Sequence, residues 1–343
     1  MSRFITCVAI RQPSHLPGAR CQTRRRRGEA EGGWHTRCVS ATPVVATPEP
    51  NKVRAFLRLV MIEHSVFALP FAYISALTAM WLQSRTVHWM QLALITVAMV
   101  SARTVAMSAN RILDRDFDAL NPRTARRELV TGQLSVRSAW VGTVVALAIF
   151  LTSAALLSWL CLALAPVAIA LLVLYSYGKR FTDFPQVLLA LAQFVAPVGA
   201  WIAVTDHAGV LTSAAPYALG IAVGTWIGGF DLIYSCQDAE IDRRIGSRSF
   251  PARFGIVTAL RASAAVHAAS LAAFVWFGAA AGLGWLWWVG VALTAVVLAY
   301  EHTIVRADDL SRVNRAFFTA NGVIGIGLFG CGVGDLLIHG LAA

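Results

Sequence analysis

Residues 89–118 read WMQLALITVAMVSARTVAMSANRILDRDFD, an apolar run that ends in three aspartates. The apolar part is longer than the roughly 20 residues that cross the hydrocarbon core of a bilayer. A second stretch, residues 215–242, has the same design and reads APYALGIAVGTWIGGFDLIYSCQDAEID. Ionised side chains at a membrane edge are costly unless they are paired, metal-bound or solvated. The two stretches therefore predict an all-α membrane protein with a polar site at one end of two of its helices.

The composition of the chain agrees with a membrane location. Of its 343 residues, 57% are hydrophobic and 14% are charged, whereas a soluble domain normally carries about 25% charged residues. A formal net charge of +11 would suit a nucleic-acid partner in a soluble protein. In a polytopic membrane protein, however, basic residues mark the cytoplasmic loops. We therefore expect the lipid bilayer, and no nucleic acid, among the partners of this protein.

The first 50 residues differ from the rest of the chain. They contain four consecutive arginines at Arg24–Arg27, five prolines and three acidic residues. We interpret residues 1–50 as a disordered or artefactual Arg-rich leader, with an organelle transit peptide as the alternative, and residues 51–343 as one membrane domain. The six cysteines lack the pair spacing of metal sites, and we interpret them as small core residues or incidental thiols.

Hydropathy predicts nine membrane spans after Asn51. The predicted spans are 59–82, 89–113, 138–156, 158–175, 186–204, 215–237, 257–281, 284–301 and 317–340. Tryptophans near their ends, such as Trp285, Trp287 and Trp288, are interpreted as anchors at the membrane interface.

The loops between these spans alternate in charge. Nearly all lysines and arginines precede span 1 or follow spans 2, 4, 6 and 8, whereas the opposite loops carry almost only Arg85. By the positive-inside rule the N-terminus is cytoplasmic and the C-terminus lies outside. Both aspartate clusters end even-numbered spans, so we expect them to face one another on the cytoplasmic side, as in a loose internal repeat.

The first aspartate cluster forms a stripe if its helix continues. Asn110, Asp114 and Asp118 are spaced i, i+4 and i+8, which puts them on one helix face. Arg103, seven residues before Asn110, extends this stripe deeper into the span. Asp116 points elsewhere and is expected to face solvent.

The second cluster follows the same spacing. Asp231, Tyr234, Asp238 and Asp242 fall at positions 0, 3, 7 and 11 of one helical stripe. Asp231 and Tyr234 are its deepest members, while Glu240 lies off the stripe. Two stripes on the same side of the membrane are harder to explain as solvated loop carboxylates than a single one.

Carboxylates in two facing stripes are suited to hold Mg²⁺, which usually binds through one or two carboxylates plus substrate phosphates. A metal ion on a diphosphate would stabilise the oxygens that depart when a C–O bond breaks. The basic pair Lys179-Arg180 follows span 4 on the same predicted side and would neutralise the remaining phosphate charge. The sequence thus predicts a Mg²⁺-dependent diphosphate site inside a membrane protein.

Several motifs resemble the UbiA superfamily of intramembrane aromatic prenyltransferases. The first signature of that family, Asn followed by Asp at +4 and +8, is similar to Asn110, Asp114 and Asp118. The second, Tyr followed by Asp at +4 and +8, is similar to Tyr234, Asp238 and Asp242. Four further segments also resemble the family, and the likeness extends over about residues 52–340; these segments are 67–71, 121–124, 177–182 and 249–255.

The resemblance implies nine transmembrane helices around a central cavity, with Mg²⁺ as the cofactor. It implies that an allylic polyprenyl diphosphate loses its diphosphate and that an aromatic acid attacks the resulting carbocation. Arg103 is the candidate for the acceptor carboxylate or the diphosphate, and Tyr234 would stabilise the cation through its ring face. The implied metal ligands are Asp114, Asp118, Asp238 and Asp242. The implied substrate-binding residues are Asn110, Asp231, Lys179, Arg180, Arg123 and Arg253.

Two features bear on the identity of the aromatic acceptor. Many members of the family have Asp directly after the Asn of the first signature, but this chain has Arg111, which offers no metal ligand there. Residues 121–128, NPRTARRE, resemble the 4-hydroxybenzoate polyprenyltransferase-like branch, which includes menaquinone-pathway enzymes of the futalosine route. We expect 4-hydroxybenzoate as the acceptor, in quinone synthesis in a bacterial inner membrane, with 1,4-dihydroxy-6-naphthoate as the alternative.

A secondary transporter is the alternative of a different class, because carboxylates in the membrane can bind Na⁺ or H⁺. Transporters usually interrupt their helices with Gly or Pro near the midplane, and here those residues do not coincide with the aspartates. Paired carboxylates at one membrane face favour metal–diphosphate chemistry over ion-coupled transport.

Overall fold

A computed structural model describes residues 52–60, 69–205 and 212–342. These residues form helices and their connections, with one isolated bridge between Thr86 and Ala342 and no β-strand in the described ranges. The predicted all-α class is therefore confirmed. The predicted leader, residues 1–50, lies outside the described residues.

Thirteen helices follow one another in the described ranges. They are α1 (Lys52–Leu59), α2 (Leu69–Gln83), α3 (Trp89–Leu113), α4 (Arg115–Leu120), α5 (Val136–Leu157), α6 (Trp159–Phe181), α7 (Pro185–Thr205), α8 (Ala215–Ser235), α9 (Ala239–Ile245), α10 (Phe250–Phe254), α11 (Ile256–Ala281), α12 (Trp285–Ile304) and α13 (Val313–Ile338).

Eight helices in the described part of the chain are long and apolar enough to cross a membrane: α3, α5, α6, α7, α8 with its continuation, α11, α12 and α13. They coincide with predicted spans 2 to 9. Of predicted span 1, the described part is α2, with 15 residues, most of them buried, while residues 61–68 lie outside the described ranges. The protein is thus a multi-pass membrane protein, as the sequence predicts.

Helix α8 lies at the centre of the membrane domain. It is the most buried of the membrane helices and packs between α7 and α11. Its contact with α7 is close because glycines face that helix: a Cβ on Gly224 would stand 2.5 Å from the carbonyl oxygen of Ala190. Small residues let membrane helices approach in this way. The helix that carries the second aspartate cluster is therefore held on both sides.

Both aspartate stripes continue through a break in their helices. Helix α3 ends at Leu113, and Asp114, at φ −87° and ψ 4°, precedes the short helix α4. Helix α8 ends at Ser235 and passes through a 3₁₀ turn, Cys236–Asp238, into the short helix α9. In both clusters the first aspartate of the pair stands at the start of the short helix, which supports the predicted internal repeat.

Three local expectations need correction. Lys179 and Arg180 lie in the last turn of α6, which runs to Phe181, and not in a loop after the span. Trp287 is no interface anchor, because its side chain is fully buried and its Nε1 donates to the Phe274 carbonyl at 3.3 Å. The last helix begins at Val313, four residues before the predicted start, and contains a π-helical turn.

Candidate active site

A cavity of about 910 Å³ opens among α3, α5, α6, α7 and α8. Most of its wall is apolar, formed by side chains such as Ile95, Phe150, Leu171 and Ile202. Its polar residues come from α3, α6, α7, α8 and α9 and from the loops that follow α4 and α9. The predicted site residues on its wall are Arg103, Asn110, Asp114, Arg123, Lys179, Asp231, Tyr234, Asp238 and Asp242.

The two aspartate clusters meet at the polar end of this cavity. A smaller pocket of about 40 Å³ is lined by carboxylates of both clusters together with Arg123, Arg127 and Lys179. The four carboxylates on its wall are Asp114, Asp118, Asp238 and Asp242. Residues more than 100 positions apart in the sequence thus share one pocket, as expected for facing stripes.

Asp114 is held by the helix that carries it and by α6. Its side chain is 3% exposed, accepts from Asn110 Nδ2 at 3.2 Å and pairs with Arg180 Nη1 at 3.2 Å. Arg180 is itself fixed by a hydrogen bond from its Nη2 to the Leu113 carbonyl. Burial raises the pKa of Asp114 above its ordinary value, although the charges of Lys179 and Arg180 oppose this change.

Asp118 has a partner that the sequence did not predict. Its Oδ1 lies 2.5 Å from Nη1 of Arg127, and its side chain is largely buried. Arg127 belongs to the loop that follows α4, and the hydroxyl of Thr124 donates to the Asp118 carbonyl at 3.0 Å. The sequence signal that could have indicated this partner is the adjacent pair Arg126-Arg127, which follows the first aspartate cluster closely.

The planar guanidinium of Arg123 binds the carboxylate of Asp238 through two parallel hydrogen bonds, an arrangement called the fork below. Nε of Arg123 donates to Oδ1 at 3.0 Å and Nη2 to Oδ2 at 2.5 Å, while Nη1 donates to the Tyr234 hydroxyl at 3.2 Å. Asn121, also unpredicted as a site residue, adds a bond from its Nδ2 to Asp238 Oδ1 at 3.1 Å. Burial alone would lower the pKa of Arg123, but the bond to Asp238 and its negative charge raise it. The fork joins the two halves of the site.

Asp242 differs from the other three carboxylates. It lies on α9, is 6% exposed and lines both cavities. Among the described residues it forms no ion pair. Gly246, at φ +72°, ends α9 and turns the chain back, so that Ser247 also lines the small pocket.

Three further predicted residues line the cavity at different depths. Lys179 borders both the large cavity and the small pocket. Asp231 lies deeper along α8, and Gln186 of α7, whose Nε2 donates to Ser235 Oγ at 3.3 Å, lines the same cavity. Arg103 lies deeper along α3, and its buried Nε has no hydrogen-bond partner among the described residues. An unpartnered guanidinium nitrogen on a cavity wall is suited to bind an anionic group.

Arg253 is not brought to the site. Its side chain is exposed, and it lines neither cavity. Asp116 and Glu240, expected off the stripes, are both exposed, and Glu240 pairs with Arg244 on the surface. The helical spacing therefore separated inward from outward acidic residues correctly.

The side chains that line the small pocket have the chemistry of a Mg²⁺ site. Hard oxygen donors from four carboxylates line one pocket. Within the described ranges, no three side chains of His, Cys, Asp or Glu converge into a ready cage for a metal ion. Such an open arrangement suits a cation that completes its coordination with water and phosphate oxygens. The residues present therefore fit Mg²⁺ bound together with a phosphorylated ligand.

The fold and the site define an intramembrane protein in which a pocket lined by carboxylates and basic side chains lies at the polar end of an apolar cavity. The model of the UbiA prenyltransferase family matches residues 72–322. The chain therefore belongs to the UbiA prenyltransferase family, and the predicted resemblance is confirmed.

Similar proteins agree with this assignment. A 4-hydroxybenzoate octaprenyltransferase of Alkalilimnicola ehrlichii is 33% identical over 225 residues, which cover 64% of this chain and 74% of that protein. The apo structure of a UbiA homolog from Aeropyrum pernix K1 is 37% identical, with a TM-score of 0.72, and covers 79% of this chain and 97% of that chain. A UbiA homolog from Archaeoglobus fulgidus bound to DMAPP and Mg²⁺ shares the fold at 19% identity, with a TM-score of 0.62 and coverage of 83% and 99%.

Proposed function

We propose that this protein transfers a polyprenyl group from an allylic polyprenyl diphosphate to an aromatic acid of the 4-hydroxybenzoate type, with Mg²⁺, in quinone biosynthesis. One observation carries the proposal: four carboxylates from two helices line one small pocket at the polar end of a large apolar cavity. The relative from Alkalilimnicola ehrlichii is a 4-hydroxybenzoate octaprenyltransferase, and the homolog from Archaeoglobus fulgidus binds DMAPP and Mg²⁺. Both support the same chemistry here.

The apolar part of the cavity would take the polyprenyl tail. Its wall includes the exposed side chains of Leu164, Val167 and Leu191, which line the cavity and also face the outside of the helix bundle. In a membrane, such side chains face lipid, so a long tail could enter sideways from the bilayer.

The diphosphate would lie at the small pocket. Mg²⁺, held by Asp114, Asp118, Asp238 and Asp242, would neutralise the departing oxygens. Lys179 lines the pocket from α6 and would donate to a phosphate oxygen. Arg123, which forks onto Asp238, lies at the boundary of pocket and cavity. Carboxylates and basic side chains thus lie side by side on the pocket wall. The hydrogen-bond donors are therefore already in place when a diphosphate binds.

The transfer breaks the allylic C–O bond and a C–H bond of the ring, and it forms one C–C bond. The allylic C–O bond breaks, its electron pair leaves with the diphosphate, and the allylic carbon forms a bond to the electron-rich ring. The ring then loses a proton, for which Asp231 is the candidate acceptor because it is the deepest carboxylate of the second cluster. The ring of Tyr234 lines the same region and can stabilise positive charge through its face.

Arg103 would bind the carboxylate of the acceptor. Its Nε is buried and unpartnered among the described residues, and a guanidinium binds a carboxylate through two parallel bonds. Both 4-hydroxybenzoate and 1,4-dihydroxy-6-naphthoate carry such a carboxylate, so Arg103 accommodates either acceptor class.

The site would open on the cytoplasmic side of a bacterial inner membrane. The loops at the end that carries the site, residues 114–135 and 246–255, contain most of the basic residues between spans. The positive-inside rule assigns such loops to the cytoplasm, where a diphosphate substrate made by soluble enzymes would be available.

Product analysis with purified protein in lipid tests the proposal. The protein receives a long-chain allylic diphosphate and Mg²⁺, with 4-hydroxybenzoate and 1,4-dihydroxy-6-naphthoate offered separately and EDTA as the control. Prenylated hydroxybenzoate that disappears with EDTA is the expected product. Prenylated naphthoate alone would keep the reaction but change the acceptor. No EDTA-sensitive product with either acid would refute the proposed function.

A further inference from the structure

Helix α11 presents a polar stripe to α8, on the side away from the cavity-lining helix α7. Ser263, His267 and Ser270 are spaced i, i+4 and i+7, so they share one face of α11. Each donates to a backbone carbonyl of α8, and the three bonds are Ser263 Oγ to Gly229 O at 2.7 Å, His267 Nε2 to Trp226 O at 3.2 Å and Ser270 Oγ to Ala222 O at 2.7 Å. The residue numbers of the donors increase along α11 from Ser263 to Ser270, while those of their acceptors decrease along α8 from Gly229 to Ala222. We call these three bonds the α11 ladder.

The middle bond of the ladder depends on a second histidine. A carbonyl oxygen can only accept, so Nε2 of His267 must carry a proton, and its Nδ1 is then an acceptor. Nδ1 of His267 lies 2.9 Å from Nε2 of His302 on α12, which must therefore donate. His302 thus selects the tautomer in which His267 can bind α8.

The opposite face of α8, toward α7, is formed largely by glycines. Gly220, Gly224 and Gly228 face α7 there, and their neighbours are the Phe194 ring and the carbonyls of Ala190 and Gln186. Glycine faces permit close approach, but they offer no side chain to interlock against sliding or rotation. The α11 ladder supplies three of the side-chain hydrogen bonds that link α8 to other helices. Others are Trp226 Nε1 to Asn321 Oδ1 at 2.9 Å and, near the end of α8, Gln186 Nε2 to Ser235 Oγ at 3.3 Å.

We propose that the α11 ladder is a positioning device for the second aspartate cluster, an inference that rests on the proposed function. Asp231 lies two residues beyond the last ladder carbonyl, and Asp238 follows at the next break of the chain. Each residue along a helix advances about 1.5 Å and turns about 100°. A small slide or rotation of α8 therefore moves these carboxylates away from the first cluster. Ser263, His267 and Ser270 act through α8 and touch no substrate.

Paired variants separate the hydrogen bonds from packing. His267→Phe keeps a ring of similar size but removes the donor, whereas His267→Gln restores a donor for the Trp226 carbonyl. The double variant Ser263→Ala/Ser270→Ala removes the outer two bonds with little change in volume. We expect His267→Phe and the double variant to raise the Mg²⁺ concentration for half-maximal transfer about tenfold, because loss of groups that orient metal ligands typically costs about 10- to 100-fold in metal affinity. We expect His267→Gln to restore the wild-type value, and KM for the aromatic acid to stay constant.

Ser75→Ala is the matched control. Ser75 is fully buried and donates to the Pro197 carbonyl of α7 at 2.6 Å, so its loss removes an interhelical bond of the same kind from a different helix pair. We expect this variant to lower thermal stability as much as Ser263→Ala while the Mg²⁺ dependence remains that of the wild type. Equal changes in Mg²⁺ dependence for both variants would overturn the inference, since stability alone would then explain them.

A distance measurement tests the inference without turnover. Spin labels are placed at two exposed positions, Leu120→Cys just after the first cluster and Glu240→Cys within the second. They report the separation of the clusters in a background that lacks the six native cysteines. We expect one narrow distance in the parent and in His267→Gln, and a shifted or broadened one in His267→Phe. An unchanged distance in His267→Phe overturns the ladder role. The distance measurement does not depend on the proposed function. That function is tested separately, by whether the wild-type protein transfers the polyprenyl group.

Discussion

The two aspartate clusters are built alike but are neutralised differently. In both, a membrane helix breaks at an aspartate and a short helix carries the next one. The two inward-facing aspartates of the first cluster pair with arginines, Asp114 with Arg180 and Asp118 with Arg127. In the second cluster, Asp238 pairs with Arg123, while Asp242 forms no ion pair among the described residues. The two clusters thus have a similar backbone but different ion pairs.

The difference lies in the loops that follow the clusters. The loop after α4 supplies Arg123 to the second cluster and Arg127 to the first. Helix α9 and the loop that follows it are equally basic, but there Arg243 donates to the Ala252 carbonyl at 2.8 Å and Arg248 to the Phe181 carbonyl at 2.8 Å. The arginines after the first cluster therefore neutralise carboxylates of the site. Arg243 and Arg248, after the second cluster, instead bind backbone carbonyls around it.

Removal of one carboxylate from each cluster is expected to have the largest effect. Asp114→Ala and Asp238→Ala should each lower transfer about 100- to 1000-fold, a range typical for loss of one group that stabilises charge in the reaction. Rates with saturating Mg²⁺ measure this loss, and size-exclusion chromatography verifies that the variants fold. Asp116→Ala and Glu240→Ala, in the same motifs but exposed, are the controls and should keep activity within about twofold. Turnover like that of the wild type in either main variant would contradict the metal-clamp assignment.

Exchange of arginine for lysine after each cluster, at Arg123 in the loop after α4 and at Arg243 near the end of α9, should separate the roles of the two segments. Arg123→Lys loses the planar fork onto Asp238 and should lower transfer about 10- to 100-fold. Arg243→Lys should leave the rate within about twofold and lower the melting temperature by a few degrees, because it loses bonds to backbone carbonyls. Rates and thermal unfolding of the two variants, measured side by side, check the comparison. Equal losses of rate would remove the distinction between the loops.

Arg103→Lys should act on the acceptor and not on the diphosphate. Lysine keeps the charge but cannot bind a carboxylate through two parallel bonds. We expect KM for the aromatic acid to rise about tenfold, with KM for the polyprenyl diphosphate unchanged. Arg137→Lys, an exposed basic residue at the start of α5, is the matched control. A fully active Arg103→Lys would remove the proposed role of Arg103.

The smallest expected effect concerns the residue that orients Asp114. Asn110→Ala removes the bond from Nδ2 to Asp114 Oδ2, which should contribute about 1 kcal/mol, or roughly fivefold in rate. Asp114 retains its pair with Arg180 in this variant. A loss as large as that of Asp114→Ala would mean that Asn110 is itself a ligand in the site, and an unchanged rate would mean that Arg180 alone orients Asp114.

The sequence predicted those parts of the molecule that depend on local periodicity. Eight of the spans and the inward direction of Asp114, Asp118, Asp238 and Asp242 follow from spacing along a helix, and the structure brings all four to one pocket. Spacing also separated the exposed Asp116 from its neighbours.

What the sequence did not predict depends on contacts between distant segments. Arg127 and Asn121 belong to an irregular loop, where no periodicity says which way a side chain points. Arg253 lies in a motif that resembled the family, yet its side chain is exposed. Trp287 seemed an interface residue by its position near a span end, but packing against Phe277 at 5.2 Å between ring centroids buries it.

The breaks at Asp114 and Asp238 also have a consequence for how the chain enters the membrane during synthesis. A carboxylate at the centre of a nascent span adds about 2.5 to 3.5 kcal/mol to the free energy of insertion. Because the helices end before or at these aspartates and short helices carry the rest, the insertion machinery receives α3 as an apolar segment with its acids beyond the end. The reactive groups are therefore delivered to the membrane surface by the same turns that later bring them together.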